Sequence, residues 1–386
     1  MGPTDRLDID EWSRSVLMEH DVDPVRGFLP GDDPLDTLPT AFHPWERLAD
    51  RLPDLIGTPD VLQAVQALPT PDIELLVDEP MLRRAMLLLS IFGNACVWSG
   101  PEPILTLPSS LCTSWSHVAT RLQRPLIIAH ASIVLHNWTM IDPALGFQPD
   151  NLRMLASFGG SSDEEWFYMV TVAIEACGAR VLPQLLLGKH AASSDDHDAL
   201  QTVLHVIGET IRAMTSMLER MEERCRHDVF YHHIRPYLTG WPEPGVVYEG
   251  VSDTPHILHG GSAAQSSLLN AMDAGLDIPH DHPGTRSFLQ AMRDYMPPRH
   301  RRFVEFLETG PSLRDAAAKH EATRIAFDRC IDRLTHFRRT HQAITMRYIT
   351  QQAPTTHEAT GTGGTDYADF LRRTRLETSD RKLDDS

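Results

Sequence analysis

Paired cysteines are missing from this chain. Cys96, Cys112, Cys177, Cys225 and Cys330 are scattered with no recurring spacing, which argues against a disulfide framework or a zinc knuckle. Positive charge is also scarce: 35 Lys and Arg against 53 Asp and Glu leave a net charge of -18. Such a surface repels phosphate backbones and anionic lipid, so the expected partners include no nucleic acid and no membrane. It leaves open a single basic side chain inside a pocket. Long apolar runs are lacking, since residues 86–98 and 125–135 are too short to span a bilayer. The opening MGPTDRLDIDEW has no apolar signal core, and Arg6 stands where a myristoylation motif needs Ser or Thr. The expected compartment is a reducing cytoplasm.

Histidine is plentiful at 20 residues, yet H-E-x-x-H is absent and no pair has a carboxylate at facial-triad spacing. His232 and His233 are adjacent and point apart on a helix. His280-Asp281-His282 lies between Pro279 and Pro283 and reads as loop. Strand-like alternation of β-branched residues is nearly absent, and no repeat recurs at a fixed period.

What is present is helical patterning. Pro3, Pro24, Pro30, Pro34 and Pro39 mark an extended, loop-rich leading segment. Helix periodicity then covers 44–68, 79–98 and 111–122, followed by an apolar stretch at 126–138. The run Phe158-Gly-Gly-Ser-Ser-Asp-Glu-Glu carries a helix start at Ser162 or Asp163, with acidic residues in the first turn. Beyond it, helices are expected at 166–177, 198–224, 262–276, 284–295, 299–307 and 322–350. The predicted fold is all-α: a small N-terminal helical domain, 1–157, and a large C-terminal helical domain, 158–386. A mobile loop near 351–365, a short charged helix and a disordered tail close the chain.

The 322–350 helix has the most informative face. Phe327, Ile331, Leu334, Phe337, His341, Ile344 and Tyr348 step by three or four along one apolar stripe. An imidazole there is either a core histidine bonded to a carbonyl or an axial haem ligand in an apolar slot. Between Asp228 and Trp241, a helix would bring Phe230, Tyr231, Ile234 and Tyr237 to one broad face with Arg235 beside it. That arginine either grips a carboxylate or snorkels to solvent. The stretch from His259 to Ser267, with Gly260, Gly261, Ser262, Ala263 and Ala264, suits close backbone approach to a flat cofactor, and equally tight helix packing.

FYxxxRPYLxGW, VYEG at 247–250, GGSAxQSS, MRxYMPPxHR at 292–301, the histidine helix and GTGGTD at 361–366 together resemble the indoleamine 2,3-dioxygenases, in that family's order. The resemblance is strong over 165–375 and weak over the first hundred residues. It implies haem b in the large domain with His341 as proximal iron ligand, and O₂ as co-substrate. It also implies an external electron donor and a small-molecule indole substrate. Arg235 matches the residue that pairs with the substrate carboxylate, Phe230 and Tyr231 match pocket aromatics, and Phe167 matches a ring packing on the indole. Thr171 falls near the iron. Ala263 and Ala264 lie over the haem on the substrate side, Ala264 counted with Thr171 at the reacting centre, and Gly261 and Ser262 belong to the same cofactor wall. Thr362 matches a mobile-loop residue that closes over the amino-acid end of the substrate. Asp273 matches an acidic residue of the hydrogen-bond framework rather than a base.

Two positions depart from the family pattern: His130 stands where a pocket tyrosine is expected, and Ile133 where a small polar residue is. The reaction implied inserts both atoms of O₂ into the indole ring and breaks the 2,3-bond, giving N-formylkynurenine from L-tryptophan. The alternatives are a haem enzyme oxidising another indole in a biosynthetic pathway, which His130 keeps open, and an oxygen-binding haem protein of the same fold. Arg235 and Thr362 favour the enzyme over the carrier.

Overall fold

The stripe along the histidine helix packs as its spacing predicts. In the computed structural model, which describes residues 3–353, 361–362 and 366–383, helix Glu321–Thr345 lies along helix His197–Glu219. Phe327, Ile331 and Leu334 are completely buried there. His197–Glu219 also receives Val181–Ser194 and Ser162–Gly178, while Tyr367–Ser379 docks on Glu321–Thr345. Before residue 158, Glu79–Trp98 packs against Ser109–Leu122. The architecture is all-α; the strands among the described residues are two to five residues long. One of them, Thr106–Leu107, runs parallel to Val246–Tyr248 and so joins the two sides of the expected boundary. A continuous apolar cluster also runs through both sides.

Several local expectations need correction. The leading segment is not extended throughout, because Pro3–Glu19 is helical. Pro3 stands at the first helical position, where no amide hydrogen is needed, and the other leading prolines all follow Glu19. The expected 44–68 helix divides into His43–Leu55 and Asp60–Gln66, interrupted around Gly57, whose φ is +78°. The apolar residues 86–98 belong to a helix of 20 residues, long and apolar enough to cross a bilayer by length and composition. Residues 84–97 of it are all buried inside the protein. Val181–Ser194 has no counterpart among the expected helices. The chain end is anchored as far as Leu383, whose N–H donates to Asp328 Oδ1 at 2.6 Å. Of the loop expected near 351–365, residues 354–360 and 363–365 lie outside the described residues.

Ser162–Gly178 starts as predicted, with Ser161 as cap: its hydroxyl oxygen accepts the Glu164 N–H at 3.1 Å. Glu164 then turns back and accepts the amides of Phe158, Gly159 and Gly160 at 2.8, 2.9 and 3.0 Å. Burial pushes this carboxyl up to about 7, against the pull of those three amides. The last helix is fastened by His280, whose Nδ1 lies 2.8 Å from Glu377 Oε2 and whose Nε2 lies 3.0 Å from Asp273 Oδ2. Burial pulls the His280 pKa down, but hydrogen bonding and charge from Asp273, with Glu377 added, outweigh it, and the net shift is upward.

A raised folded-state pKa adds stability that is complete below the ordinary value of 6.5 and fades as pH rises through the folded value. The gap in melting temperature between the wild type and His280→Gln is therefore expected to be wide at about pH 5.5 and narrow at about pH 9. Thermal melts across that range check it, and a gap that widens toward high pH would contradict the assignment.

Candidate functional site

The described residues include three π-helical turns, Ala131–Leu135, Phe230–Ile234 and Met346–Thr350, and each contributes to the wall of one cavity of about 260 Å³. A π turn carries an extra residue, which re-aims the side chains that follow it. Helix Ser162–Gly178 adds Phe167, Thr171, Ile174 and Glu175, at helical spacing on one face. Glu321–Thr345 adds Phe337, His341 and Ile344, and the remaining wall includes Arg235, Gly261, Ser262, Ala263, Ala264 and Thr362.

The sequence-derived residues thus meet around a single space, with one exception. Tyr231 is half-buried and does not line the cavity. On an ordinary helix Tyr231 and Arg235, four apart, would share a face; the π turn instead brings Phe230 and Arg235, five apart, to the cavity. Tyr231 supports the arginine instead, with the guanidinium carbon 5.3 Å from its ring centroid. Burial holds the Arg235 pKa below its ordinary value, opposed by Tyr231 and Tyr367.

His341 makes no side-chain hydrogen bond to any described residue, although its carbonyl accepts from Thr345 Oγ1 at 2.8 Å. Burial, reinforced by the charge of Arg338, pulls its pKa down to about 4. The ring is therefore neutral at physiological pH and keeps a lone pair to offer. Arg338 itself pairs with Asp273, which also meets His280, so Asp273 belongs to a supporting network and is absent from the cavity wall.

Gly260 and Gly261 have different tasks. A Cβ on Gly260 would come within 2.1 Å of the Leu238 carbonyl oxygen, so this glycine serves backbone packing. Gly261 lines the cavity, and its carbonyl accepts the Thr362 hydroxyl at 2.7 Å. The Thr362 carbonyl in turn accepts the amides of Gly240 and Gly260, both at 3.2 Å. The Thr171 hydroxyl donates to the Phe167 carbonyl at 2.9 Å.

Three contributors escaped sequence reasoning. Glu175 lines the cavity and lies 2.9 Å from His130 Nε2. Its position eight residues after Phe167 and four after Thr171, on the same helical face, was the available signal. Gln265 accepts the His130 N–H at 2.9 Å and donates to the Gly260 carbonyl at 2.8 Å. Asn94 donates to the carbonyls of Tyr237 and Thr239 at 3.0 and 3.2 Å and accepts the Ile128 N–H at 3.3 Å, tying two wall segments together. Gln265 falls within the GGSAxQSS motif, which does not reveal its contacts, and no sequence pattern marks Asn94.

This wall suits haem. No group of three or more His, Cys, Asp or Glu side chains among the described residues forms a metal set. A metal at His341 would therefore arrive with its other ligands, as haem iron does. The neutral imidazole, with no side-chain hydrogen bond to a described residue, could offer its lone pair to an iron, and the small side chains from Gly261 to Ala264 would leave room for a flat, mostly apolar group.

The family profile described as Indoleamine 2,3-dioxygenase matches residues 16–381. The chain is 33% identical to the indoleamine 2,3-dioxygenase 1 of Mus musculus, covering 97% of each chain. It is 34% identical to an indoleamine 2,3-dioxygenase of Aspergillus nanangensis, over 94% of this chain and 96% of that one. With the Saccharomyces cerevisiae indoleamine 2,3-dioxygenase the identity is 30%, over 86% and 80%. The similarity therefore reaches well before residue 165, beyond the span that the motifs alone carry.

His341→Ala is expected to abolish stoichiometric haem uptake while leaving far-ultraviolet circular dichroism unchanged. Haem titration followed by absorbance checks this, and uptake equal to wild type would remove His341 from the ligand role.

Proposed function

This chain belongs to the indoleamine 2,3-dioxygenase family, and on that footing we propose that it cleaves the 2,3-bond of L-tryptophan or a related indole with O₂, giving N-formylkynurenine from tryptophan. The observation that carries the reading is one apolar cavity walled by both a neutral, unbonded imidazole, His341, and a cationic guanidinium, Arg235. His341 would hold the haem iron, with Gly261, Ser262, Ala263 and Ala264 against the macrocycle. When bound, haem supplies the activation of O₂, and an external electron donor keeps its iron ferrous.

The protein's own share is positioning. Phe167 and Phe230, whose ring centroids lie 4.8 Å apart, pack against the indole, and Arg235 fixes the carboxylate with charge-assisted hydrogen bonds. Thr362, held on the Gly240–Gly261 backbone, closes the amino-acid end and excludes water. The Thr171 hydroxyl already donates to its own helix, so this residue shapes the space near the iron without removing the indole proton. The two-domain division at 157/158 and a reducing cytoplasmic setting belong to the same proposal; the five cysteines are free thiols.

Mass spectrometry of the product formed by haem-loaded, reduced protein with L-tryptophan and O₂ is expected to show two added oxygen atoms. No product from any indole would overturn the reading. Arg235→Ala should retain haem but weaken tryptophan, raising KM about 10- to 100-fold, as loss of a charged hydrogen bond implies. Unaltered steady-state kinetics would move the carboxylate site elsewhere.

A further inference from the structure

We propose that His130, oriented by Glu175 and Ser266, is the specificity-determining residue for the substrate ring and selects indoles bearing a hydroxyl group. This rests on the cavity being the indole site. His130 and Glu175 both line it, and they are only 5% and 4% exposed. Glu175 Oε1 lies 2.9 Å from His130 Nε2 and accepts the Ser266 hydroxyl at 2.7 Å. The His130 backbone is fixed separately through Gln265. A carboxylate oxygen accepts, so Nε2 carries the proton in this bond and its direction is set.

Nδ1 is left over. It has no hydrogen-bond partner among the described residues and is not sealed by packing, on a side chain that lines the cavity. Glu175 Oε2, by contrast, is sealed and also without a partner. Ile133 and Val134, on the turn that follows, keep the neighbouring wall apolar. An open ring nitrogen in such a wall disfavours an apolar ligand, which strips its water and offers nothing in return. A hydroxyl both donates and accepts, so it satisfies Nδ1 whether or not that nitrogen carries a proton. A methyl group of similar size does neither.

The test uses haem-loaded wild type and His130→Phe with pairs of tryptophans carrying hydroxyl or methyl at the same carbon, each free carbon of the benzo ring in turn. Calorimetric Kd and kcat/KM are both read. The wild type is expected to favour hydroxyl over methyl at one carbon or more by about tenfold, and His130→Phe to reduce that ratio to about twofold or less. A wild-type ratio near one at every carbon, or a ratio that survives in His130→Phe, would overturn the proposal. If His130→Phe does not fold, the wild-type ratio decides alone. Binding is read without turnover, so absence of product from every indole would defeat the dioxygenase reading separately.

Discussion

Phe327, Ile331 and Leu334, fully buried between Glu321–Thr345 and His197–Glu219, fix the rotation of the histidine helix about its own axis. That rotation decides where every later residue on the stripe points, so Phe337, His341 and Ile344 arrive at the cavity as a consequence. Burying three such side chains contributes about 6 kcal/mol, which is ample to set the rotation of the helix and to carry the half-buried His341 to the cavity wall with it. Burial also keeps this imidazole neutral, which is the state a metal requires of it.

The other walls are positioned in the same indirect way. Glu164 gathers three amides of the 158–160 loop and thereby sets the start of the helix bearing Phe167, Thr171 and Glu175. Asn94, on a helix from the first half of the chain, joins the 237–239 backbone to Ile128. Gln265 joins Gly260 to His130. The N-terminal half thus supplies both a piece of wall and the staple that holds another piece in register. A large part of the construction therefore consists of buried amides and carboxylates that never face the cavity.

The outline of this arrangement was legible in the sequence for simple reasons. Helical periodicity exposes a polar residue on an apolar stripe, and His341 was found that way. Ordered motifs located Arg235, Gly261 to Ala264 and Thr362 without any knowledge of their contacts. Glu175 follows the same rule as His341, but a carboxylate in the last turn of a helix is easily taken for a solvated face. The π turns could not be read, because an inserted residue looks like any other, and the misplacement of Tyr231 follows from that insertion. The helicity of Pro3–Glu19 was hidden by prolines that mostly lie beyond it. Asn94 and Gln265 act across 143 and 135 residues of chain, a relation that no local pattern encodes.

The distribution of polarity also bears on what the cavity is for. Arg235 sits where burial lowers its pKa, on the wall of a mostly apolar cavity, so an anionic ligand there gains a charge-assisted partner. A protein that only stored O₂ would have no use for such a group, since a diatomic gas has no carboxylate to offer. The same reasoning applies to His130 and Glu175, a second polar cluster in an otherwise apolar wall. An amino-acid indole presents an anion, a flat apolar body and, when hydroxylated, a polar ring edge. The cavity offers groups that answer each of these, so its chemistry favours a ligand that is apolar in the middle and polar at both extremes.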